Sequence, residues 1–262
     1  TLMRDALVQA IADGRETDLK KKIKGAKGEA LKQRRIDDFN AFKKWLSHKK
    51  EYTHIVDGAN VAYSGQNHGQ GGFQYSQIAA VVRKIELEDP SARIIVLLPT
   101  VYTGSVIPNN VQRGGKKMHK GNNERTVAYL SKQDKKVLSD LRKRDRLFAV
   151  PVASNDDWYW IYMAVQEDRK KPAVIITNDK MRDHCFKFMD QRPLWRLQSS
   201  QVYGFNLNYD PDASQDIEEM AKRCKLIPPL PVSREIQGHS GHWHVPVSDD
   251  NSLWFCVKKH ND

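Results

Sequence analysis

Cysteine is scarce in this chain, which has three among its 262 residues: Cys185, Cys224 and Cys256. Three cysteines cannot all pair with one another, which argues against a disulfide scaffold and favours a reducing compartment. Long hydrophobic runs are also missing, since none approaches the roughly 20 residues that span a bilayer. The first segment, 1–14, mixes charges with its apolar residues and does not resemble a secretory signal. Because the chain starts with Thr1 rather than Met, we expect a fragment and leave its localisation open between nucleus, mitochondrion and another organelle.

Two common catalytic motifs are absent as well. No GKS or GKT sequence is present, which argues against a P-loop nucleoside triphosphatase, and no G-x-S-x-G elbow marks a serine nucleophile. What the chain has in excess is positive charge, with 43 Lys and Arg against 32 Asp and Glu, a net charge of +11 and a pI near 9.5. This favours a polyanionic partner, usually nucleic acid, over a membrane surface. A basic surface that only aids solubility is the alternative.

Apolar strands alternate with helices after a basic helical lead-in. In the lead-in, 1–50, the residues Phe39, Phe42 and Leu46 recur at helical spacing and predict a stripe that docks on a core. Strands are predicted at 52–56, 92–98, 147–152 and 173–177, and helices at 75–88, 123–131, 133–144, 156–166 and from Lys180 onward. Continuous apolar strands separated by helices are typical of an α/β fold, a parallel sheet with helices on both faces.

Two stretches depart from this alternation. Residues 104–123 are rich in Gly, Asn and Lys and predict a long mobile loop. Beyond residue 210 the alternation fades, prolines at 228, 229 and 231 indicate a linker, and the end of the chain predicts a small β-rich appendage. We therefore expect a lead-in at 1–50, a main domain at 51–210, and a linker with a small domain at 211–262.

Acidic residues follow three of the four predicted strands. Asp57 ends the first strand, Asp156 and Asp157 follow the third, and Asp179 follows the fourth. Asp183 comes four residues later, on the same face of the predicted helix. Because ligands gather at the carboxyl ends of the strands in an open parallel sheet, these acids are expected at one edge.

Each acidic site also has a structural explanation. Asn155 and Asn178 could cap helices whose first turns favour aspartate, and Asp57 could form a turn. Taken together, however, converging carboxylates repel one another unless a cation joins them. Hard oxygen ligands select Mg²⁺ or Mn²⁺, as one ion or two. In a basic protein, such a site predicts hydrolysis of phosphodiester bonds.

The motifs VDGANVA, SNDDWYWIY, ITNDKMRDHCF and PLW, with the late GHWHVPV and LWFC, resemble the protein-only RNase P enzymes. The resemblance runs from about Arg35 to Val257. It implies an NYN-type metallonuclease fold and Mg²⁺-dependent removal of the 5′ leader of precursor tRNA, by a monomer without an RNA subunit. The catalytic and metal-binding aspartates that it implies are Asp57, Asp156, Asp157 and Asp179. Supporting roles fall to Asn60, Asp183 and His184.

Two parts of the family pattern are missing from this sequence. The upstream pentatricopeptide repeats that bind tRNA in the family have no counterpart here, so we expect the catalytic part alone. The family's structural zinc uses an upstream C-x-x-C with a late His and Cys, which match His244 and Cys256. No cysteine precedes Cys185, so we expect little or no zinc in this chain, although the full-length protein would hold it. His239 and His242 could substitute as ligands, but solvated loop histidines are the favoured interpretation.

Candidate RNA contacts lie in two basic groups. The first is the loop with Arg113, Lys116, Lys117 and Lys120, whose flexible cations could reach phosphates. The second comprises Lys132, Lys135, Lys136, Arg142, Lys143 and Arg144, for which a solvated helix face is an equal alternative. Trp158 and Trp160 could stack on bases, but burial of at least one is favoured.

Two other functions compete with leader removal. One is a broader NYN or PIN-like nuclease of RNA decay, which a panel of substrates would separate. The other is a non-catalytic RNA-binding module, which we consider the weakest because no acid of the motif is missing. Within the nuclease hypothesis, Asp157 and Asp179 are expected to bind metal directly, and Asp57 and Asp156 to bind metal or its waters.

Overall fold

The computed structural model describes residues 26–65, 72–108, 116–120, 123–152, 154–165, 172–181, 201–208, 216–229, 237–239, 242–247 and 253–258. The helices are α1 (Ala26–Ser47), α2 (Gly58–Tyr63), α3 (Tyr75–Glu88), α4 (Lys132–Lys143), α5 (Asp156–Ala164) and α6 (Ile217–Arg223). The strands are β1 (His54–Asp57), β2 (Ile94–Pro99), β3 (Val106–Pro108), β4 (Lys116–Lys120), β5 (Asn123–Tyr129), β6 (Leu147–Val150), β7 (Val174–Ile176), β8 (Val202–Asn206), β9 (Lys225–Ile227), β10 (Gln237–His239), β11 (His242–Pro246) and β12 (Trp254–Lys258). None of these helices is both long and apolar enough to cross a membrane.

The main sheet has six strands in the order β6-β2-β1-β7-β8-β9. Neighbouring strands from β6 to β8 are parallel, and β9 runs antiparallel to β8. The central strands are apolar runs that are buried along almost their whole length, as expected for a parallel sheet covered on both faces. The predicted α/β class is therefore confirmed, with one antiparallel strand at the edge.

Alternate residues of each central strand enter two separate hydrophobic cores. Val56, Val96 and Leu98 face a core that also takes side chains from α2, α3, α4 and α6. Ile55 and Ile95 face the opposite core, which α1 and α5 cover. Because side chains alternate between the faces of a strand, these short runs can bury both faces at once.

The predicted apolar stripe of the lead-in docks α1 on the second core. Phe39 and Phe42 are 2% and 1% exposed, and their ring centroids lie 5.4 and 4.8 Å from that of Tyr159 on α5. Trp158 and Trp160, in the same helix, are each 0% exposed. Stacking of these two indoles on RNA bases is therefore wrong for this fold, because neither ring reaches the surface.

A small antiparallel sheet is inserted between β2 and α4, with β5 between β3 and β4. The sequence predicted a loop at 104–123 and a helix at 123–131, and both predictions are wrong where the structure describes these residues. The helix prediction fails because residues 123–129 pair with two other strands, which overrides their local preference. The insertion follows β2 at its carboxyl end, so it leaves the sheet at the edge where the aspartates are expected.

The main domain continues beyond the boundary expected near residue 210. Helix α6 packs on α3, and β9 adds to the main sheet through Phe205 and Leu226. The alternation of strand and helix therefore extends to Ile227, whereas the sequence predicted that it fades beyond residue 210. The β-rich end is confirmed as a three-stranded antiparallel sheet of β10, β11 and β12.

Candidate active site

Asp57 ends β1 and caps α2, and it is 4% exposed. Its Oδ1 accepts a hydrogen bond from the backbone N–H of Asn60 at 3.1 Å. The next residue, Gly58, lies so close to β2 that a Cβ would be 2.8 Å from the carbonyl oxygen of Leu97. A turn at Asp57 was the structural alternative, but the chain enters a short helix here. The missing side chain of Gly58 lets that helix pack on the sheet.

The end of β7 is tied to Asp57 by a hydroxyl group. The Oγ1 of Thr177 donates to Oδ2 of Asp57 at 2.8 Å and accepts from the backbone N–H of Asp179 at 3.1 Å. Asp57 and Thr177 are 120 positions apart in the chain, and β1 and β7 bring them together as adjacent parallel strands.

Asn178 links three elements, and it is not a helix cap. Its backbone N–H donates to Oδ1 of Asn60 at 2.9 Å. Its side chain accepts from the N–H of Phe205 at 3.0 Å and donates to the carbonyl oxygen of Phe205 at 2.9 Å. The alternative that Asn178 caps a helix is therefore wrong, because its amide is used to bind β8.

Asp179 lies in a turn that follows these contacts. Its Oδ1 accepts from the N–H of Met181 at 2.8 Å, and Met181 has a φ of 51°. A helix cannot begin at Lys180 with this backbone, so that predicted start is wrong. Asp183 and His184 lie outside the described residues.

Asp156 and Asp157 occupy the first turn of α5. Asn155 caps this helix, with its Oδ1 accepting from the N–H of Asp157 at 3.0 Å. The capping role considered for Asn155 is therefore correct. It does not exclude a role for Asp156 and Asp157 in the site, because both line the pocket described next.

One pocket of about 330 Å³ collects the predicted acids. It is lined by Asp57, Ala59, Asn60, Tyr63, Ser64, Gly65, Asp156, Asp157, Asn178 and Asp179. The structure thus brings together all four predicted aspartates, from three separate chain segments, with Asn60 beside them. Neither lysine nor arginine occurs among the described residues of this lining.

The pocket disfavours negative charge on its own acids. Burial raises the pKa of Asp57 to about 7, and Asp156 and Asp179 add to this effect, while the hydrogen bonds from Asn60 and Thr177 oppose it. Burial likewise raises the pKa of Asp157 to about 8, with further contributions from the charges of Asp57, Asp156 and Asp179. For Asp156 the pKa is also raised, by burial and then by Asp179. A cation in the pocket would reverse this destabilisation.

The donor set fits a hydrated Mg²⁺ or Mn²⁺ ion. No three of the described His, Cys, Asp or Glu side chains are placed to hold one cation directly. Mg²⁺ usually keeps several waters and uses one or two carboxylates, so the pocket suits an ion bound partly through water. The hard carboxylate oxygens disfavour softer metals.

The two predicted zinc ligands also lie together. His244 Nδ1 is 2.9 Å from Cys256 Sγ, across the paired strands β11 and β12. A structural zinc site needs four ligands, and the described residues supply no third one here. His239 and His242 form a cross-strand pair of β10 and β11 rather than lying in a loop. Among the described residues, the two predicted ligands are therefore adjacent, and two ligands are fewer than a structural zinc site needs.

The basic groups lie in different settings. Arg113 is outside the described residues, and Lys116, Lys117 and Lys120 belong to β4 of the insertion, not to a loop. The second group is on α4, where Lys132, Lys135 and Lys136 are exposed. Of the same group, Arg142 donates to the carbonyl oxygen of Thr103 at 2.6 Å and Arg144 pairs with Glu86 at 3.1 Å.

Thr177 was missed by sequence reasoning, which treated it as the last residue of a strand. The available signal was a polar residue that closes an apolar strand two positions before an acid, in ITND. Its contact with Asp57 depends on which strands are neighbours, and the sequence pattern does not give that order.

Comparisons with known proteins show which proteins this chain is similar to. A family model described as protein-only RNase P matches residues 10–258. Proteinaceous RNase P 3 of Arabidopsis thaliana is 29% identical over 230 residues, which cover 85% of this chain and 33% of the relative. Proteinaceous RNase P 2 of the same plant is 27% identical, covering 84% and 36%. The chain thus spans about a third of the length of the curated relatives it matches.

A solved structure shares the fold. The crystal structure of nuclear proteinaceous RNase P 2 from A. thaliana matches with a TM-score of 0.56 at 24% identity, covering 88% of this chain and 43% of that one. Because the family model spans nearly the whole sequence, from residue 10 to residue 258, this chain belongs to the protein-only RNase P family.

Proposed function

We propose that this chain is a metal-dependent endoribonuclease that removes the 5′ leader of precursor tRNA, as a monomer without an RNA subunit. The observation that carries the proposal is the pocket in which Asp57, Asp156, Asp157 and Asp179 converge. The net charge of +11 supports a nucleic-acid substrate. The names of the relatives, which are proteinaceous RNase P enzymes, support precursor tRNA as that substrate.

The four aspartates would divide the work of holding one or two Mg²⁺ or Mn²⁺ ions. Asp157 and Asp179 are our choice for direct ligands, and Asp57 and Asp156 for ligands of the ion or of its waters. A bound ion supplies a more acidic water and stabilises negative charge on the phosphate. Hydrolysis joins a water oxygen to phosphorus and breaks the bond to the 3′ oxygen of the leader. The mature tRNA then carries a 5′-phosphate, and the leader ends in a 3′-hydroxyl.

We place the RNA along the insertion and the start of α4. A helix that precedes a parallel strand runs antiparallel to it, so α4 begins at the carboxyl edge of the sheet, where the pocket lies. Lys132 and Lys135 are exposed near this end of the helix. Lys116, Lys117 and Lys120 lie in the insertion that leaves the same edge. Arg113 belongs to the same basic stretch of sequence.

The test is cleavage of a 5′-labelled precursor tRNA by the whole chain in Mg²⁺, with an EDTA control. We compare Asp179→Ala with Asp140→Ala, a matched control at an exposed position of α4. A single metal-dependent cut at the mature 5′ end, lost only with Asp179→Ala, is the expected result. Scattered cuts would point instead to an RNA-decay nuclease. RNA binding without any cutting would contradict the proposal and favour a binding module.

We also propose that this chain by itself holds little or no zinc. The support is the pair of His244 and Cys256, which provides two of the four ligands of a structural site. Elemental analysis of the purified chain is the measurement, and one zinc per chain would contradict the proposal.

A further inference from the structure

One buried hydroxyl group serves two of the four aspartates. Thr177 is 1% exposed, and its Oγ1 is the donor to Asp57 and the acceptor from the N–H of Asp179. We propose that Thr177 is a positioning residue that orients Asp57 and Asp179 to bind the catalytic cation. This inference rests on the metal-dependent function proposed above, and it adds a residue that the motif did not assign.

The hydrogen bonds fix the direction in which Asp57 presents its oxygens. Oδ1 is held by the N–H of Asn60 and Oδ2 by Thr177, at 3.1 and 2.8 Å. A carboxylate has about four lone-pair sites, so the two that remain can face the pocket. With both oxygens anchored, the carboxylate cannot rotate away without losing a hydrogen bond of a side chain that is only 4% exposed.

The second contact of Thr177 sets the backbone at Asp179. Its Oγ1 accepts from the N–H two residues later, and Oδ1 of Asp179 repeats this pattern with the N–H of Met181. Two successive turns of this kind define the path of the chain from β7 into the pocket. Because Asp179 uses only Oδ1 in its turn, Oδ2 stays available for the cation or its waters.

A serine and a valine distinguish positioning from packing. Thr177→Ser keeps the hydroxyl and loses a methyl group, whereas Thr177→Val keeps the shape and loses the hydroxyl. If Thr177 only fills space, valine should be the milder change. If Thr177 positions the two carboxylates, Thr177→Ser should be the milder change. Thr177→Ala serves as a second variant without the hydroxyl, and it adds no methyl group beside Asp57.

The experiment is a titration of the metal-free whole chain with Mn²⁺, in which the electron paramagnetic resonance signal reports the concentration of free Mn²⁺. Circular dichroism checks that each variant is folded. We expect the Kd for Mn²⁺ to rise about 10- to 100-fold in Thr177→Val and Thr177→Ala, the range found when outer-shell partners are removed. Thr177→Ser should bind nearly as the wild type does. Wild-type affinity in either folded variant without the hydroxyl would overturn the inference. Failure of the wild type to bind Mn²⁺ would instead overturn the metal site itself.

Discussion

The aspartate pocket should make the metal-free protein less stable as the pH rises, and Asp157→Asn should relieve this effect. Asp157 is the acid whose pKa is raised to about 8, by burial and by the charges of Asp57, Asp156 and Asp179. Asparagine has nearly the same shape and carries no charge. The substitution therefore tests whether repulsion between the carboxylates of the pocket destabilises the metal-free protein.

The size of the effect follows from the pKa shift. The pKa of Asp157 rises from 3.8 to about 8, and each unit corresponds to about 1.4 kcal/mol, which gives an upper bound of about 6 kcal/mol. Asp157 is partly exposed and shares the repulsion with its neighbours. We therefore expect Asp157→Asn to stabilise the metal-free fold by about 2–3 kcal/mol at pH 8.

The raised pKa of Asp157 also determines how the stability of the metal-free protein changes with pH. Because the pKa is raised in the folded state, the protonated acid favours folding, and this contribution is complete below the unfolded pKa of 3.8. It is lost as the pH rises towards about 8, where the folded protein must ionise the buried acid. Wild type and Asp157→Asn should therefore have similar free energies of unfolding near pH 4 and diverge towards pH 8.

Urea denaturation in EDTA, followed by circular dichroism at several pH values, measures this difference. Asp145→Asn is the matched control, since Asp145 is exposed and forms an ion pair with Lys49 at 2.6 Å, and it should show no gain at pH 8. A variant Asp157→Asn that is less stable than the wild type at pH 8 would refute the reasoning. A gain of equal size at both ends of the pH range would do so as well.

Three further predictions concern packing, metal and RNA. Gly58→Ala should destabilise the fold by about 1–3 kcal/mol in chemical denaturation, because its Cβ has no room beside β2, whereas Gly104→Ala has nothing within 4 Å and should be nearly neutral. Adding Mn²⁺ should raise the melting temperature more at pH 8 than at pH 5, because the aspartates that bind the ion are closer to full ionisation at pH 8. Equal increases at the two pH values would contradict this prediction. The logarithm of the RNA association constant falls linearly with the logarithm of the salt concentration, and Lys132→Gln should make this slope less steep by about 1. Lys44→Gln, at an exposed position in the last turn of α1, should leave the slope unchanged.

The strands and the acidic edge were predictable because their signals are local. An apolar run ends directly before Asp57, and the other acids follow within a few residues of two further runs. In a parallel sheet those ends share one edge. The alternation of such runs with helical segments gave the α/β class. The helical spacing of Phe39 and Phe42 predicted which face of the lead-in helix packs on the core, because this spacing is visible in the sequence.

The remaining features depend on contacts between distant parts of the chain. Residues 123–129 become a strand because they pair with β3 and β4. Strand β9 joins the main sheet although its three residues are too short a run to predict a strand. The bond between Thr177 and Asp57 exists only because β7 lies beside β1. Strand order is a property of the whole sheet, and no local pattern reports it.

The separation between Asp57 and Asp179 in the chain has a consequence for synthesis. A growing polypeptide leaves the ribosome with its N-terminal part first, and β1 would wait for more than a hundred further residues before β7 could pair with it. Until then the first aspartate has neither its hydroxyl partner nor the other acids of the pocket. We therefore expect the proposed nuclease to be unable to cut until residue 179 has emerged and docked. A cell could translate such an enzyme beside its own RNA without risk from the unfinished chain.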